Sequence, residues 1–530
     1  MTRPRLTKAS RPGPKPERNR IWMIMLAICA GGALVSMDSV IIGVALPFVS
    51  DSFAITATEY AWVGSSYLLG CACLMPVWEP VSEVLGRKSV ILAGLGLFLA
   101  GSLISACARN SMTLIMGRAI QGIGEGAFTV VTNVSMADLF NIRERGLYIA
   151  MYSGASCMGA AFGPLLGGVL TQYANWRWCF WINLPVCAVA LVLLMVGYQG
   201  AGNGSDWSKL RTVDWLGMLL ITGGTLLLLL GLQSGGSTTW QSAKTLTLLL
   251  GGIAALAMFA VEQTRVRHSI VPLALFRARS SAACLGVCAS HGITYIGCIF
   301  YLPVYLSLVL GLDAFAVGCW TLVIAVPTTV AGVCAALVIR RTQRVRTVII
   351  VAAAALTLGT GLFIGLPVKI VVWRLVVSQL GVAVGISPLF QAPLMGLQTS
   401  ISRADIPRAY GFYVFLRTLS SAISLAFGQV VLQSALEART RALVAQGVPA
   451  ETAHSLSHDV TTILSFSGSA EQAHALRTSM ARSLDRVWMM YTAFAILGVV
   501  GSVCISNDPL VEDEDPQCDA RSPETELREL

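Results

Sequence analysis

The sequence predicts an all-α integral membrane protein with about fourteen transmembrane helices, arranged as two pseudo-symmetric six-helix bundles plus an inserted helix pair. Three observations support this fold class. Only 12% of the 530 residues are charged and 55% are hydrophobic, whereas soluble proteins carry roughly 25% charged residues. Apolar runs of about 20 residues, the length that crosses a bilayer, recur along the chain. Basic residues are concentrated in alternate gaps between those runs.

Each apolar run is interpreted as one spanning helix. The runs lie at residues 21–47, 58–77, 88–108, 111–136, 148–171, 178–198, 212–232, 244–264, 281–309, 314–339, 345–365, 371–398, 409–433 and 486–506. One gap is long: residues 434–485 have helix-like patterning in "ALEARTRALVAQG" and are predicted to form a loop outside the membrane.

The basic residues orient the chain. With both termini in the cytoplasm, the inner short loops hold sixteen lysines and arginines, and the outer short loops hold four. Cytoplasmic loops of membrane proteins are enriched in these residues, so the sequence predicts cytoplasmic termini. The net charge of +9 is therefore a topology signal, and no nucleic-acid partner is expected.

Weak internal likenesses indicate a repeat. The gap "EVLGRKSVILAG" after the second run and the gap "IRRTQRVRTVII" after the tenth are both short and basic. They occupy equivalent places if two six-helix halves flank an inserted pair, a common arrangement in transporters. The predicted divisions are a basic cytoplasmic tail (1–20), an N-terminal bundle (21–200), the inserted pair with its linkers (201–280), a C-terminal bundle (281–506) and an acidic cytoplasmic tail (507–530).

Ionisable residues inside the predicted spans are candidates for function, because a charge at the bilayer centre costs about 2.5–3.5 kcal/mol and usually faces a cavity or a partner. Asp38 lies in the middle of the first run. Arg118, Gln121 and Glu125 lie in the fourth at helical spacing, so they share one face. The alternative is a structural ion pair or an arginine that snorkels to the interface. His291, in the ninth run, is expected to be a hydrogen-bonded structural histidine.

A short turn between the second and third runs is a candidate gate. It reads "EVLGRKSV" and contains Glu83, Gly86, Arg87 and Lys88. Glycine permits a tight turn, and the paired charges can reach a neighbouring helix end and hold the inner face closed. The alternative is a positive anchor that only fixes topology.

The fifth run contains "GAAFGPLLGG", residues 159–168. Gly159, Gly163 and Gly167 are spaced by four, so they form a stripe that permits close helix packing. Pro164 lacks an N–H and predicts a bend. We expect this stripe, together with Gly168, to contact a helix of the opposite half, as a sliding seal. The alternative is close packing within one half.

These segments resemble the major facilitator superfamily, in particular the fourteen-span drug:proton antiporters of fungi. The resemblance is carried by "MDSVIIGVALP" (37–47), "EVLGRK", "GRAIQGIGEGAF" (117–128), "GAAFGPLLGG" and "WRWCFWINLP" (176–185). It implies that Asp38 is the family's first-helix acid and that Arg118 takes part in proton coupling. It also implies that Gly86, Arg87 and Lys88 form the gate, and that the fifth-helix pattern marks proton-exchanging exporters.

The chain departs from the family pattern at several positions. Glu83 replaces the usual aspartate of the gate, and Glu79 and Pro80 stand where that motif usually opens with glycine. Glu125 stands where a small residue is expected. We interpret Glu125 as a substrate contact of this protein or a second proton site.

The predicted function is proton-coupled efflux of drugs, toxins or secondary metabolites by alternating access. The protein is expected to be a monomer of the plasma membrane and not an enzyme, without a metal or other cofactor, and with the proton gradient as its energy source. The chain has no Gly-Lys pair for an ATP-binding loop and neither a Gly-x-Ser-x-Gly nor a His-Glu-x-x-His motif. The alternatives are an importer or vacuolar transporter of the same fold, for siderophores or basic amino acids, and a membrane scaffold.

The predicted topology has a direct test at Asn203, which begins the glycosylation sequence Asn-Gly-Ser. Our orientation places it in a cytoplasmic gap, so we expect Asn203 to carry no glycan. The measurement is the electrophoretic mobility of the protein before and after glycosidase treatment. A shift that disappears in Asn203→Gln would reverse the orientation.

Overall fold

The computed structural model describes residues 18–53, 57–140, 142–198, 213–237, 240–266, 269–398, 401, 405–458, 463, 466 and 468–506. Within these ranges every regular element is a helix, so the predicted all-α class is confirmed. Most of the basic N-terminal tail, the Asn203 sequon and the acidic C-terminal tail lie outside the described residues.

The helices are long, as apolar segments that satisfy their backbone within a bilayer must be. In chain order they are α1 (Arg18–Phe53), α2 (Ala57–Leu85), α3 (Arg87–Ala106), α4 (Ser111–Leu139), α5 (Ile142–Tyr173), α6 (Trp178–Trp181), α7 (Asn183–Gly197), α8 (Trp215–Ser237), α9 (Ala243–Gln263), α10 (Ala274–Arg277), α11 (Arg279–Val304), α12 (Ala314–Thr342), α13 (Val345–Leu362), α14 (Val372–Gln398), α15 (Ile406–Glu437), α16 (Thr440–Ala445), α17 (Ala450–His458) and α18 (Ala470–Val503). A π-helical turn, Tyr305–Val309, continues α11.

Thirteen spans among the described residues are long and apolar enough to cross a membrane, and α6 with α7 forms one of them, Trp178–Gly197. The predicted fourteenth is α4, which has 29 residues but is not apolar enough to be counted with the others. Arg118, Gln121 and Glu125 lower its hydropathy. α4 packs along both α2 and α3, and this contact accounts for a polar helix at this place.

The predicted outer loop 434–485 is wrong in its extent. α15 continues to Glu437, and α18 begins at Ala470, sixteen residues before the predicted start at 486. A capping box at Ser469 and Gln472 fixes the beginning of α18. Hydropathy missed these turns because they are amphipathic. α16, α17 and the first turns of α18 pack together through apolar residues, and we call this unit the helical cap; its buried residues include Leu443, Leu456, Leu476 and Met480.

Two main contacts join the first six spans (α1–α7) to the last six (α11–α15 and α18), and smaller ones join α1 to α11 and α12. α5 packs against α12, and α2 packs against α15. α8, from the predicted inserted pair, contacts α9 and also both α2 and α15. Leu229 and Leu232 of α8 share one apolar cluster with Ala422 and Ala426 of α15. The division into two bundles stays a prediction, and these contacts identify where such bundles would meet.

Candidate functional site

A buried ion pair lies within the first six spans. Arg118 Nη1, from α4, donates a hydrogen bond to Asp38 Oδ2, from α1. Asp38 has 0% and Arg118 1% of its surface exposed. Taking two charges out of water carries a penalty of several kcal/mol for each ion, so the remaining polar groups around the pair determine whether it is tolerated.

Two amides complete the coordination of Asp38. Asn183 Nδ2 donates to Asp38 Oδ1 at 2.7 Å, and Gln121 Nε2 donates to the same oxygen at 3.2 Å. Both amides also donate to Ser102 Oγ, at 3.3 and 2.8 Å respectively. Because every hydrogen-bond partner of Asp38 among the described residues is a donor, the site fits a carboxylate that only accepts. We call Asp38, Ser102, Arg118, Gln121 and Asn183 the polar network.

Aromatic rings flank the arginine. The guanidinium carbon of Arg118 lies 4.1 Å from the ring centre of Tyr67 and 6.0 Å from that of Phe180. A cation over a ring face is stabilised by about 0.5–2 kcal/mol. Arg118 Nε and Asn183 Oδ1 have no hydrogen-bond partner in the described part of the chain. The polar network therefore has one donor and one acceptor that could each form a further hydrogen bond.

A small cavity adjoins this network. Arg118 and Tyr67 line it together with Gly43 and Gly64, and the opposite wall is formed by residues of α11 that include Ile296 and Phe300. The arginine of the ion pair thus lines a small space shared by the first six and the last six spans, and Asp38 lies behind it. A change in the charge of Asp38 would act on one wall of that space.

Glu125 lies two turns further along α4 and does not join the polar network. Its charged neighbours include Asp38 and Arg118, and the Tyr67 hydroxyl and Cys71 thiol are its polar neighbours. The predicted common face therefore separates into two parts: Arg118 and Gln121 hold Asp38, whereas Glu125 borders α2. Its role stays a prediction.

The predicted gate residues meet at the ends of α2, α3 and α4. Gly86 has φ 88°, a backbone conformation that favours glycine. Arg87 Nε donates to Asp138 Oδ2 at 3.1 Å, and Arg87 lies 3.8 Å from the Glu83 carboxylate. Arg87 also donates to Ser82 Oγ. Asp138 was not predicted, because the sequence shows no spacing that links it to Arg87.

Lys88 reaches a different helix end. Its Nζ donates to the carbonyl of Met195 in α7 at 3.0 Å, where the unpaired carbonyls of a helix C-terminus attract cations. Arg346, at the start of α13, donates in the same way to the carbonyl of Val503 in α18 at 2.8 Å. The two basic gaps noted in the sequence therefore make matching contacts at the ends of the sixth and the last spans.

We expect the double variant Arg87→Ala/Lys88→Ala to slow turnover about tenfold or more and to change substrate affinity less, since charges that act on closure affect the moving step. The measurement is the rate of transport at saturating substrate beside an equilibrium binding assay. Arg265→Ala, which removes an exposed charge, is the control. Weakened binding with unchanged turnover per bound molecule would reject the gate.

The glycine stripe of α5 contacts α1, so the expected partner in the opposite half is wrong. A Cβ at Gly163 would lie 2.6 Å from Val40 Cγ2, and one at Gly167 would lie 2.9 Å from Ile41 Cγ1. A Cβ at Gly159 would collide with the Ala33 carbonyl. The stripe forms a close contact within the first six spans because α1 and α5 are paired along their length.

The expected contact with the last six spans is made by the neighbouring face of α5. A Cβ at Gly168 would collide with the carbonyl of Ala314 in α12. A Cβ at Gly318 in α12 would lie 2.8 Å from the Pro164 carbonyl and 3.4 Å from Gly168 Cα. Backbone therefore meets backbone between α5 and α12, and α5 packs closely on both sides.

Comparison with known proteins identifies the family. The profile of the Major Facilitator Superfamily matches residues 28–425. The chain belongs to this superfamily. It is 34% identical over 493 residues to the efflux pump dotC of Dothistroma septosporum, covering 92% of this chain and 85% of that protein. It is 33% identical over 519 residues to the MFS-type transporter ppz2 of Metarhizium majus, covering 96% and 89%.

Solved structures share the fold. A bacterial homolog of the human lysosomal transporter Spinster, in an inward-facing and occupied conformation, gives a TM-score of 0.57 at 13% identity, covering 93% of this chain and 97% of that one. The D-xylose–proton symporter gives a TM-score of 0.52 at 17% identity, covering 77% and 89%. Membership of the Major Facilitator Superfamily makes the chain a multi-pass membrane transporter and not an enzyme.

Several residues of the transporter's interior were not predicted. Ser102 and Asn183 complete the polar network, and Tyr67 lies beside it. Of these, Asn183 could have been noticed in the sequence, because it is the one amide of "WRWCFWINLP". Arg417 also carried a signal, as a cation inside the run 409–433. His291 has 1% exposure and the backbone of Ile386 approaches its ring, so its structural role stays a prediction.

Proposed function

We propose that this transporter exports small organic molecules in exchange for protons, by alternating access. The observation that carries the proposal is the polar network: an acid in the membrane interior, held only by donors and paired with one arginine beside an internal cavity. Relatives named as efflux pumps, dotC and the FUS6 pump of Gibberella moniliformis, support the outward direction.

The polar network links the protonation of Asp38 to the cavity, because the charge of Asp38 determines how Arg118 is held. When Asp38 is ionised, Arg118 is neutralised and held against α1. When Asp38 takes up a proton, the buried cation loses its counter-charge, which is strongly unfavourable unless the arginine moves or finds another partner. Since Arg118 and Tyr67 both line the cavity, protonation changes the wall that a substrate meets. Binding of a proton at Asp38 and binding of the substrate then favour different arrangements of this wall, so each opposes the other.

We further propose that the protein acts as a monomer in the plasma membrane, with no cofactor and the proton gradient as its energy source. The vacuolar membrane and an inward direction of transport are the alternatives.

Sealed vesicles test this function. A deletion strain is screened for compounds to which it becomes sensitive, and the strongest hit is used as substrate in inverted plasma-membrane vesicles. A pH gradient, acid inside, should drive uptake that a protonophore abolishes. An importer would move the substrate together with the proton, and a scaffold would move nothing.

A further inference from the structure

A group of rings surrounds a second interior arginine, in the last six spans. The guanidinium carbon of Arg417, in α15, lies 4.5 Å from the ring centre of Phe390 and 5.9 Å from that of Tyr413. The His291 ring stacks on Tyr295 at 5.7 Å and meets Phe390 edge-on at 4.8 Å. We call these five residues the aromatic–arginine cluster. α11, α14 and α15 each contribute to it.

Close backbone packing holds the cluster together. A Cβ at Gly292 in α11 would lie 2.7 Å from the Arg417 carbonyl, so a larger residue would separate the two helices at this level. Ser421 Oγ donates to the Gly292 carbonyl at 3.1 Å, and Ser424 Oγ donates to the Ile293 carbonyl at 2.6 Å. The position of Arg417 beside His291 is therefore set by the backbone.

Arg417 faces the interior of the protein. It acts electrostatically on Cys71 of α2 and on Tyr295 of α11, and its side chain is only partly buried. Because Cys71 belongs to the first six spans and Tyr295 to the last six, Arg417 lies near the region where α2 and α15 meet. Glu125 of α4 also acts on Tyr295, so a carboxyl group of the first six spans and a guanidinium group of the last six both lie near this tyrosine.

The two interior arginines differ in their partners. Arg118 has Asp38, whereas Arg417 has no carboxylate at ion-pair distance among the described residues. The backbone of Ile386 approaches the His291 ring, so His291 is not the group that needs a further partner. A cation inside the spans without a counter-charge is costly. Arg417 therefore marks a site that lacks an anionic ligand.

We propose that the aromatic–arginine cluster binds the substrate and selects planar organic anions, in which a carboxylate or acidic phenol is attached to an aromatic ring system. The Arg417 guanidinium offers a planar set of donors that matches a carboxylate. Phe390 and Tyr295, which are only partly buried, offer ring faces and edges for a flat ligand. His291, buried against these two rings, positions them. The inference rests on the proposed function and names the substrate class of that site.

Equilibrium binding to the purified full-length chain in nanodiscs tests the class, with three probes of one shape: 2-naphthoate, neutral 2-naphthamide and cationic 2-naphthylmethylammonium. We expect the anion to bind most tightly. Arg417→Gln should weaken its binding by about tenfold or more, the loss of one charge-assisted contact, and should leave the amide nearly unchanged. Arg441→Gln, which removes an exposed charge, should leave all three unchanged.

Glu125→Gln should change the affinity for 2-naphthoate in the opposite direction to Arg417→Gln in the same assay. At an assay pH high enough to ionise Glu125, removing its carboxylate, which acts on Tyr295 of the cluster, should tighten binding of 2-naphthoate and weaken binding of the ammonium probe. If Arg417→Gln does not fold, Arg417→Lys, which keeps the charge and loses the planar set of donors, and Glu125→Gln still decide the question. Equal affinity for the anion and the amide, or tightest binding of the ammonium probe, would overturn the substrate class.

Transport separates this inference from the proposed function. If the vesicles export a neutral compound against the pH gradient and the anion shows no preference, only the substrate class is wrong. If binding is anion-selective but a pH gradient drives no movement of substrate, the proposed substrate class is retained and the proposed proton exchange is rejected.

Discussion

Asp38→Asn should abolish transport driven by a pH gradient while substrate-for-substrate exchange continues. Asparagine keeps the size of the side chain but cannot release a proton, and it leaves Arg118 without a counter-charge. Removing one partner of a buried pair costs about 3–5 kcal/mol, so we also expect a lower unfolding temperature. The measurement is uptake in proteoliposomes with and without an imposed gradient, beside counterflow of labelled substrate at equal pH.

Two further variants separate coupling from structure. Arg118→Ala removes the other charge and should give the same loss of gradient-driven transport. Ser102→Ala removes only the hydroxyl that accepts from Gln121 and Asn183, so gradient-driven transport should persist with a modest loss of stability. Undiminished gradient-driven transport in both Asp38→Asn and Arg118→Ala would make the pair purely structural.

Gly168→Leu should stop transport. Its side chain would enter the backbone contact between α5 and Ala314 of α12, one of the two main contacts between the first six and the last six spans. We expect loss of exchange or a proton leak. The measurements are substrate counterflow and the decay of an imposed pH gradient in the absence of substrate.

Gly163→Leu is the matched control on the other face of α5. It enters the contact with Val40 and Met37 of α1, inside one group of helices. Overpacking a tight interior costs about 1–3 kcal/mol, so we expect this variant to lower the unfolding temperature and to retain exchange. Exchange retained in Gly168→Leu and lost in a folded Gly163→Leu would contradict the assignment of the two faces.

Much of the fold could be predicted because lipid imposes a simple rule on sequence. A spanning helix must be long and apolar, so most of the runs were found within a few residues. The rule fails where protein replaces lipid. α4 is polar because it is enclosed by α2 and α3, and the first turns of α18 are amphipathic because they pack in the helical cap. Neither feature shows in a count of apolar residues.

The site was predicted in part. Asp38 and Arg118 were recognisable because ionisable groups are rare in a membrane, and their pairing was one of the alternatives weighed. Ser102 and Asn183 were missed because uncharged polar residues are common in spans, and only contact with a charge distinguishes them. The partner of the glycine stripe was predicted wrongly because spacing identifies a face but not the helix that covers it. The neighbouring Gly168, one residue on, faces a different group of helices.

The helical cap lies at the end of a long helix, α18, so a small tilt of that helix displaces the cap by a larger distance. α18 has 34 residues, so it is about 51 Å long, and about 20 Å of that length extends beyond a hydrocarbon core of about 30 Å. α17 packs against α15, and α16 packs against α18, so the cap follows both helices when they tilt. A rotation of about 5° over this length displaces the far end by about 4 Å. Rearrangement at the bilayer midplane is thereby magnified at the surface, where a spin label or an antibody fragment can register it.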